Sequence, residues 1–425
     1  MPLVSVVVPV RNGERHLRES LGSICRQSLT DLEIIVVDDG STDRTPQILA
    51  ELAAQDSRIR IIPGPATGSA GAARNSGLEV ARGEYLAFLD ADDFFAPRLL
   101  EKLYRKASTD KADVAVTRFR VFDERTGERV SVNWGLRTKY LPARTPFPPE
   151  QLGAALFYSV SPVVWNKMFR TAFVHGLGLQ FQPLRRTNDV FFTFSAIAQA
   201  ARITYVDESL IDYRIGNTGS LQGSLHETPL EFAESLTALQ AGLKASGRFP
   251  ALEQAFVNEA VEICLTNLGK ASTYPAFQQV HAALRSELLA RFGALHRQPD
   301  YFVNPELAAR LAQLLDTTAE EYLFGQLTAA GARAVKAQAD ALTARHEAEM
   351  REVASRSASR LPGPDRPATP PSTGAPTGDR PDVSVIIPVY NAAPFLSDCI
   401  ASIQRQTGVT VEIICIDDGS TDSSP

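Results

Sequence analysis

Three stretches near the N-terminus join a β-branched apolar run to polar groups just past its end. They are Val8-Pro9-Val10-Arg11-Asn12, Asp38-Asp39-Gly40-Ser41 and Leu89-Asp90-Ala91-Asp92-Asp93. Open α/β sheets bind ligands outside the carboxyl ends of their strands, so polar residues at these ends are candidates for chemistry. Asp90-Ala91-Asp92 puts two carboxylates on one tight turn. Hard divalent cations take oxygen ligands, and Mg²⁺ or Mn²⁺ is usually held by one or two carboxylates while phosphates complete the shell. Asp92 together with Asp90 is therefore the candidate metal-ligating pair, and a cation there would offset charge developing on a diphosphate. A capping role is also open, because Phe94–Lys106 reads as helical and Asp92 or Asp93 could begin it. Gly68–Gly77, GSAGAARNSG, places small residues at a helix start with Arg74 as a fixed cation. Such a start lets backbone N–H groups approach an anion, and it equally suits close packing of a helix on a sheet. It is neither G-x-G-x-x-G nor a Walker loop.

The elements that must carry these groups alternate strand and helix. Val4–Val10 is a short apolar run that reads as a buried strand, and Leu17, Leu21 and Ile24 then recur at helical spacing. Glu33–Asp38 reads as a second strand. Ser41-Thr42-Asp43 reads as the cap of a helix with Ile48, Leu49 and Leu52 on its inner face. Arg58–Ile62 and Glu84–Leu89 complete an alternation that predicts an α/β fold, a mostly parallel sheet flanked by helices. From about 147 to 213 the pattern is less regular, and from about 228 to 354 helical signals dominate. The charged, Ala-rich stretch 329–354 reads as a solvated helix or coiled-coil arm.

Composition narrows the function. Of 425 residues, 44% are hydrophobic and 22% charged, a globular profile, and the net charge of -6 offers no basic stripe for nucleic acid. Cys25, Cys264, Cys399 and Cys415 form no C-x-x-C pair, which argues against a zinc site or disulfide framework and fits a reducing, cytoplasmic location. His16, His175 and His226 match no ligand spacing. No apolar run approaches the ~18 residues of a membrane span, and Met1–Val10 lacks the basic region and cleavage site of a leader.

An internal repeat sets the expected domain order. Pro381–Pro425 aligns without a gap on Pro2–Pro46 at an offset of 379, with 22 of 45 positions identical, including all of Asp38–Asp43 against Asp417–Asp422. Residues 356–380, rich in Pro, Ser, Thr and Gly, cannot bury enough surface to offset their ordering entropy and read as a linker. The expected order is a catalytic domain over 1–220, a helical region over 221–355, the linker 356–380, and the start of a second, truncated domain at 381–425.

The motifs V-S-V-V-V-P-V-x-N, E-I-I-V-V-D-D-G-S-T-D, G-A-A-R-N-S-G and Y-L-A-F-L-D-A-D-D, over residues 3–97, resemble glycosyltransferase family 2, inverting enzymes with the Rossmann-like GT-A fold. A weaker likeness to the acceptor-side half of bacterial members runs through V-W-N-K-M-F-R, T-N-D-V-F-F and D-Y-R-I-G-N-T-G-S, between Val163 and Ser220. The resemblance implies that Pro9, Val10 and Asn12 line a nucleotide pocket and that Asp39 accepts a hydrogen bond from the base. It implies that Arg74 contacts base or diphosphate, that Asp90, beside Ala91, holds ribose or metal, and that Asp92 is the main ligand for Mn²⁺ or Mg²⁺. Asp189 matches the catalytic base of the family's Glu-Asp pair, whereas Asn188 stands where Glu is usual. On chemical grounds alone, Asp189 reads as a helix cap. The implied partners are a nucleoside diphosphate sugar, UDP-sugar favoured, and a glycan or lipid-linked acceptor of cell-surface polymer assembly. That setting would make the chain peripheral to the inner membrane face.

Three rivals are weighed. A sugar-nucleotide pyrophosphorylase needs a glycine-rich basic loop after the first strand, where Arg11-Asn12-Gly13 stands instead. A catalytically silent binding module is made conceivable by Asn188. A dinucleotide oxidoreductase lacks its glycine fingerprint.

Overall fold

The computed structural model describes residues 1–216, 227–329, 331, 336, 382–389, 392–405, 407–417, 420 and 422. Residues 1–337 and 338–425 form two compact units. The expected linker 356–380 lies outside the described residues, as does nearly all of the Ala-rich stretch after residue 329.

The first unit is an α/β layer structure. It begins β1 (Val4–Val10), α1 (Leu17–Cys25), β2 (Leu32–Asp38), α2 (Thr45–Gln55), β3 (Ile59–Pro63), α3 (Ala70–Val80) and β4 (Tyr85–Phe88). Every residue of β1 and β4 is buried, which is why both read in sequence as continuous apolar runs rather than alternating ones. Next come β5 (Phe94–Phe95), α4 (Leu99–Asp110), β6 (Val114–Asp123), β7 (Arg129–Ser131), α5 (Leu156–Ser159), β8 (Lys167–Arg170), α6 (Thr171–Gly176), α7 (Asn188–Gln199) and β9 (Ile203–Ile215). One nine-stranded sheet runs β3-β2-β1-β4-β8-β6-β9-β5, with β7 beside β6. The half from β3 to β4 is parallel, β8 is antiparallel to both its neighbours, and β6 pairs with β9 in parallel. The strand order reverses around β1, so the carboxyl ends of β1, β2 and β4 open onto one crevice.

Helices α8 (Glu231–Ala245), α9 (Phe249–Gly269), α10 (Tyr274–Ala283), α11 (Leu289–Arg291) and α12 (Pro305–Asp316) follow. They share their core with the sheet: Leu236, Phe256 and Leu284 belong to the same apolar cluster as Val7, Phe88 and Phe192. A second cluster on the other sheet face holds Val6, Leu21, Ile34 and Leu103.

Two local expectations are corrected. The helix expected from Phe94 starts at Leu99 with Arg98 as its cap residue, so Asp92 and Asp93 do not cap it. Phe94 and Phe95 instead pair with Asp212 and Ile211 of β9, and Pro97 lies between that pairing and the helix. Helix α2 likewise starts at Thr45 with Arg44 at its cap position, although Asp43 Oδ1 does accept from the Thr45 N–H at 2.9 Å.

In the second unit β10 (Val383–Val389) and β11 (Val411–Asp417) pair in parallel, with the helix Ala393–Gln404 between them in sequence. Their register, Val383 opposite Val411, reproduces Val4 opposite Leu32 at the sequence offset of 379. Even the side-chain bond Ser5 Oγ to Glu33 (2.6 Å) recurs as Ser384 Oγ to Glu412 (2.7 Å).

The approach of α3 to α7 depends on Gly71. A Cβ there would lie 2.3 Å from the Gln182 carbonyl oxygen and 2.8 Å from Asn188 Cβ. Gly71→Ala is expected to cost about 1–3 kcal/mol through overpacking. Gly176→Ala, where an added Cβ meets nothing within 4 Å, should shift stability by no more than about 0.5 kcal/mol. Thermal melts of the two variants check this, and equal melting temperatures would disprove the packing requirement.

Candidate active site

The loops after β1 and β2 are tied into one piece. Asn12, at φ +50, donates its backbone N–H to Ser41 Oγ (2.9 Å), and its Oδ1 accepts from the Thr42 N–H (2.8 Å). Gly13 N–H donates to Thr45 Oγ1 at 2.8 Å, the Glu14 N–H donates to Asp43 Oδ2 (3.1 Å), and Glu14 Oε2 accepts from the Arg44 N–H (3.0 Å). Asp38 Oδ1 accepts from the Ser41 N–H, turning that loop back on itself. Asp39 is buried, and its two oxygens accept from the Thr67 (3.3 Å) and Gly68 (2.8 Å) N–H groups. A carboxylate has about four acceptor positions, so Asp39 keeps capacity for a ligand donor. Pro9 and Val10 end β1 directly beneath, opposite Val37 and Asp38.

The glycine-rich helix start is built for packing. Gly77 lets α3 lie against Val7, where a Cβ would come within 2.3 Å of its side chain. Ser69 caps α3 by accepting from the Ala72 N–H, and its hydroxyl donates to the Leu184 carbonyl at 2.7 Å. Asn75 exchanges two bonds of 2.8 Å with the Phe181 backbone. These contacts fasten the segment before α7 onto α3.

Arg74 lies inside that junction rather than on its rim, 5% exposed. Its guanidinium donates to Asp90 Oδ1 at 2.6 Å and to Asn188 Oδ1 at 2.8 Å, and it stands over the Phe181 ring. Phe181 stacks on Phe192 of α7 at 3.9 Å, and both rings pack against Phe88 of β4. One cation thereby joins the acidic turn after β4 to the first residue of α7. Asn188 is the residue at the position where the resemblance expects Glu. Being neutral, it accepts from Arg74 without drawing that charge away from Asp90, and its own amide donates to the Leu184 carbonyl.

The turn beyond β4 crowds carboxylates in a poorly solvated place. Burial first, and the neighbouring Asp90 charge second, push the Asp92 carboxyl up to about 6. Burial, followed by the charges of Asp92 and Asp90, holds the buried Asp93 well above the usual carboxylate range. Asp93 Oδ1 accepts from the Arg214 N–H, while its Oδ2 is buried without a partner. Among the described residues no group of three or more His, Cys, Asp or Glu is arranged to hold a metal by itself.

Asp189 is the second residue of α7, which Asn188 opens after Thr187, whose φ is +52. Its carboxyl is raised, mainly by burial, against the lowering field of Arg74. The helix-cap reading fails, because Asp189 lies inside the first turn and Thr187 occupies the cap position. Sequence reasoning assigned no role to three neighbours of this site. Lys167 is buried, donates to the carbonyls of Ser161 and Val163, and is pushed down to about 7 by desolvation. Tyr213 stacks on Trp165 at 5.0 Å, and burial, followed by the charges of Asp93, Asp90, Asp92 and Asp189, raises its hydroxyl. Arg214 donates its backbone N–H to Asp93 Oδ1 at 2.8 Å. All three sit in the stretches that carry the weaker family likeness. His16 is buried beside Glu124, and His226 lies outside the described residues.

The family model described as Glycosyl transferase family 2 matches residues 5–165 and again 384–425. EpsH of Bacillus subtilis, a protein named as a glycosyltransferase, is 32% identical over 286 residues, which are 64% of this chain and 78% of EpsH. The poly(ribitol-phosphate) beta-N-acetylglucosaminyltransferase TarS of Staphylococcus aureus is 27% identical over 275 residues, 62% of this chain and 45% of TarS. The crystal structure of S. aureus TarS 1–349 in complex with UDP-GlcNAc matches with a TM-score of 0.56 at 21% identity, covering 77% of this chain and 92% of that one. That likeness bears out the α/β, GT-A reading of the fold.

The raised Asp92 carboxyl carries a pH signature. A folded-state pKa of about 6, above the usual ~3.9, favours the neutral form, so its contribution is intact at low pH and lost as pH rises through about 6. Asn does not titrate. In EDTA, the stability of Asp92→Asn relative to the parent is therefore expected to rise between about pH 4 and pH 7.5, by on the order of 1–3 kcal/mol. Thermal melts across that window check it, and a flat difference would remove the crowding from the site.

Proposed function

We propose that this chain, which belongs to glycosyl transferase family 2, moves a sugar from a nucleoside diphosphate donor to an acceptor hydroxyl with inversion at the anomeric carbon. The observation that carries this reading is the pair of bonds from Arg74, 2.6 Å to Asp90 and 2.8 Å to Asn188. They hold the acidic turn after β4 against the start of α7, where Asn188 precedes the candidate base Asp189.

On this reading the nucleotide lies over the joined loops of β1 and β2, along Pro9, Val10 and Asn12, with Asp39 accepting from the base. A UDP-sugar is the favoured donor. Arg74, already bound on two sides, acts by holding Asp90 and Asn188 in place. Asp90 and Asp92, flanking Ala91, would hold Mn²⁺ or Mg²⁺. The fit rests on their crowding: burial and the neighbouring Asp90 charge raise the Asp92 carboxyl, and a divalent cation relieves that repulsion. With only two protein carboxylates available, the donor's phosphates would complete the shell. When bound, such an ion supplies electrostatic stabilisation of the departing diphosphate.

Asp189 takes the proton from the acceptor hydroxyl as that oxygen attacks in line from the face opposite the diphosphate. Its raised pKa makes it a better base than an ordinary aspartate, while Arg74 favours the ionised form that must begin the reaction. The other carboxylates of this half are already engaged. Asp212 is held by Arg120 (2.7 Å) and Arg129 (2.9 Å), and Asp207 by Arg118.

The acceptor side rests on coarser support. The relative TarS is named for transfer to poly(ribitol-phosphate), which favours a cell-surface polymer, glycan or lipid-linked, met at the inner membrane face. Among the described residues no helix is long and apolar enough to cross a membrane. A donor screen with Mn²⁺, scored by released nucleoside diphosphate, tests the activity, and a silent module would release none.

Asp189→Asn preserves size and removes proton affinity. Transfer at saturating substrates is expected to fall about 10²–10⁴-fold, while donor binding stays near the parent value. A variant keeping more than about a tenth of the parent rate would rule out Asp189 as the base.

A further inference from the structure

Arg214, near the end of β9, is the most heavily engaged arginine near the acidic turn. Its side chain is 4% exposed. It grips two consecutive turn residues: its backbone N–H donates to Asp93 Oδ1 at 2.8 Å, and its Nε donates to the Asp92 carbonyl at 2.7 Å. The remaining guanidinium nitrogens reach Glu124 Oε1 at 3.2 Å and Glu19 Oε2 at 3.3 Å. The guanidinium stands over the rings of Phe94, at 4.3 Å, and Phe122, at 5.4 Å. Its donors are thus spread over groups lying in different directions, which suits the planar fork of arginine and no other cationic side chain.

Glu124 fixes the other end of this arrangement. It follows β6, its N–H donates to the Ile215 carbonyl of β9, and its Oε1 also pairs with Arg15 (3.1 Å) and lies 3.6 Å from His16. Arg15 and His16 belong to the loop that carries Asn12. Through Arg214 and Glu124, the nucleotide-side loop, the acidic turn and the acceptor-side strand β9 meet at one point.

We propose that Arg214 is a positioning residue for the acidic turn: by holding the Asp92 backbone and the Asp93 carboxylate, it aims the Asp92 side chain at the metal and diphosphate, with Glu124 as its anchor. This rests on the glycosyltransferase reading above. Arg214 is too buried to touch the donor, so it acts only through the turn. Glu19, 61% exposed, is a minor partner that serves as an internal control.

The experiment compares the parent with Arg214→Lys, Glu124→Gln and Glu19→Ala in the full chain. UDP and GDP titrations are run by calorimetry in EDTA and again in Mn²⁺, with thermal melts alongside. The readout is the gain in nucleotide affinity on adding Mn²⁺, taken for whichever nucleotide binds the parent. Lysine keeps the charge but cannot span the Asp92 carbonyl and Glu124 together. Arg214→Lys is expected to lose at least about 10-fold of the Mn²⁺-dependent gain, while affinity in EDTA changes less than about 2-fold. Glu124→Gln should lose part of the gain, and Glu19→Ala should stay within about 2-fold of the parent. A full gain in Arg214→Lys overturns the proposal alone. So does an equal loss with and without Mn²⁺, which would mark the residue as merely structural. Should Arg214→Lys fail to melt cooperatively, Glu124→Gln decides: an unchanged gain there overturns the anchor and the proposal together. A parent without any Mn²⁺-dependent gain overturns the metal-assisted reading first, and this inference falls with it.

Discussion

A guanidinium buried away from water is tolerated only when its charge is paired, and that requirement organises the site around Arg74, whose two terminal nitrogens are engaged while its Nε is buried without a partner. An unpaired charge in that position would cost several kcal/mol. Its two partners, Asp90 and Asn188, come from opposite sides of the crevice, one from the turn after β4 and one from the start of α7. Folding therefore cannot satisfy Arg74 without assembling the acidic turn against the candidate base. The small residues of α3 serve this end, since Gly71 and Gly77 let the helix come close enough to both α7 and β1.

The helices that follow the sheet contribute to the same constraint from behind. Ser235 of α8 donates to the Thr187 carbonyl at 2.8 Å, and Glu231 accepts from the Arg185 and Arg186 N–H groups. These bonds satisfy backbone groups at the left-handed turn that launches α7. The position of Asp189 is thus set by α3 on one side and α8 on the other. This is consistent with these helices sharing an apolar cluster with one face of the sheet.

Much of the parallel half was legible in sequence because strands buried on both faces leave uninterrupted apolar runs. Expected and observed limits of β1 agree, and those of β2 to β4 differ by a residue or so. The half of the sheet beyond β4 resisted reading for definite reasons. β9 carries Asp207, Glu208 and Asp212 within thirteen residues, and its pairing with β6 shifts register twice, so its alternation is broken. The two-residue strand β5 hides inside what reads as a helix start. The acidic turn was visible as a cluster, but its fastening was not. Arg214 finds Glu124 and Glu19 across 90 and 195 residues of chain, separations at which no local pattern exists. Lys167 is a lysine among aromatic residues until the fold shows the carbonyls around it.

The matching registers of β1–β2 and β10–β11 bear on the order of folding. In the first unit β1 and β2 are flanked by β4 and β3, and every side chain of β1 is buried. The second unit pairs only β10 and β11 among its described residues, and five of the seven β11 positions are exposed. The same alignment nevertheless forms, down to the Ser–Glu side-chain bond. Its specification must then reside within the strand–helix–strand segment itself, in the offset of two apolar runs and the polar stitches between them. A segment that sets its own register closes a loop of fewer than thirty residues, at modest entropic cost. The bonds of Arg74 are of another kind, since those to Asp90 and Asn188 span 16 and 114 residues and lie outside any such segment.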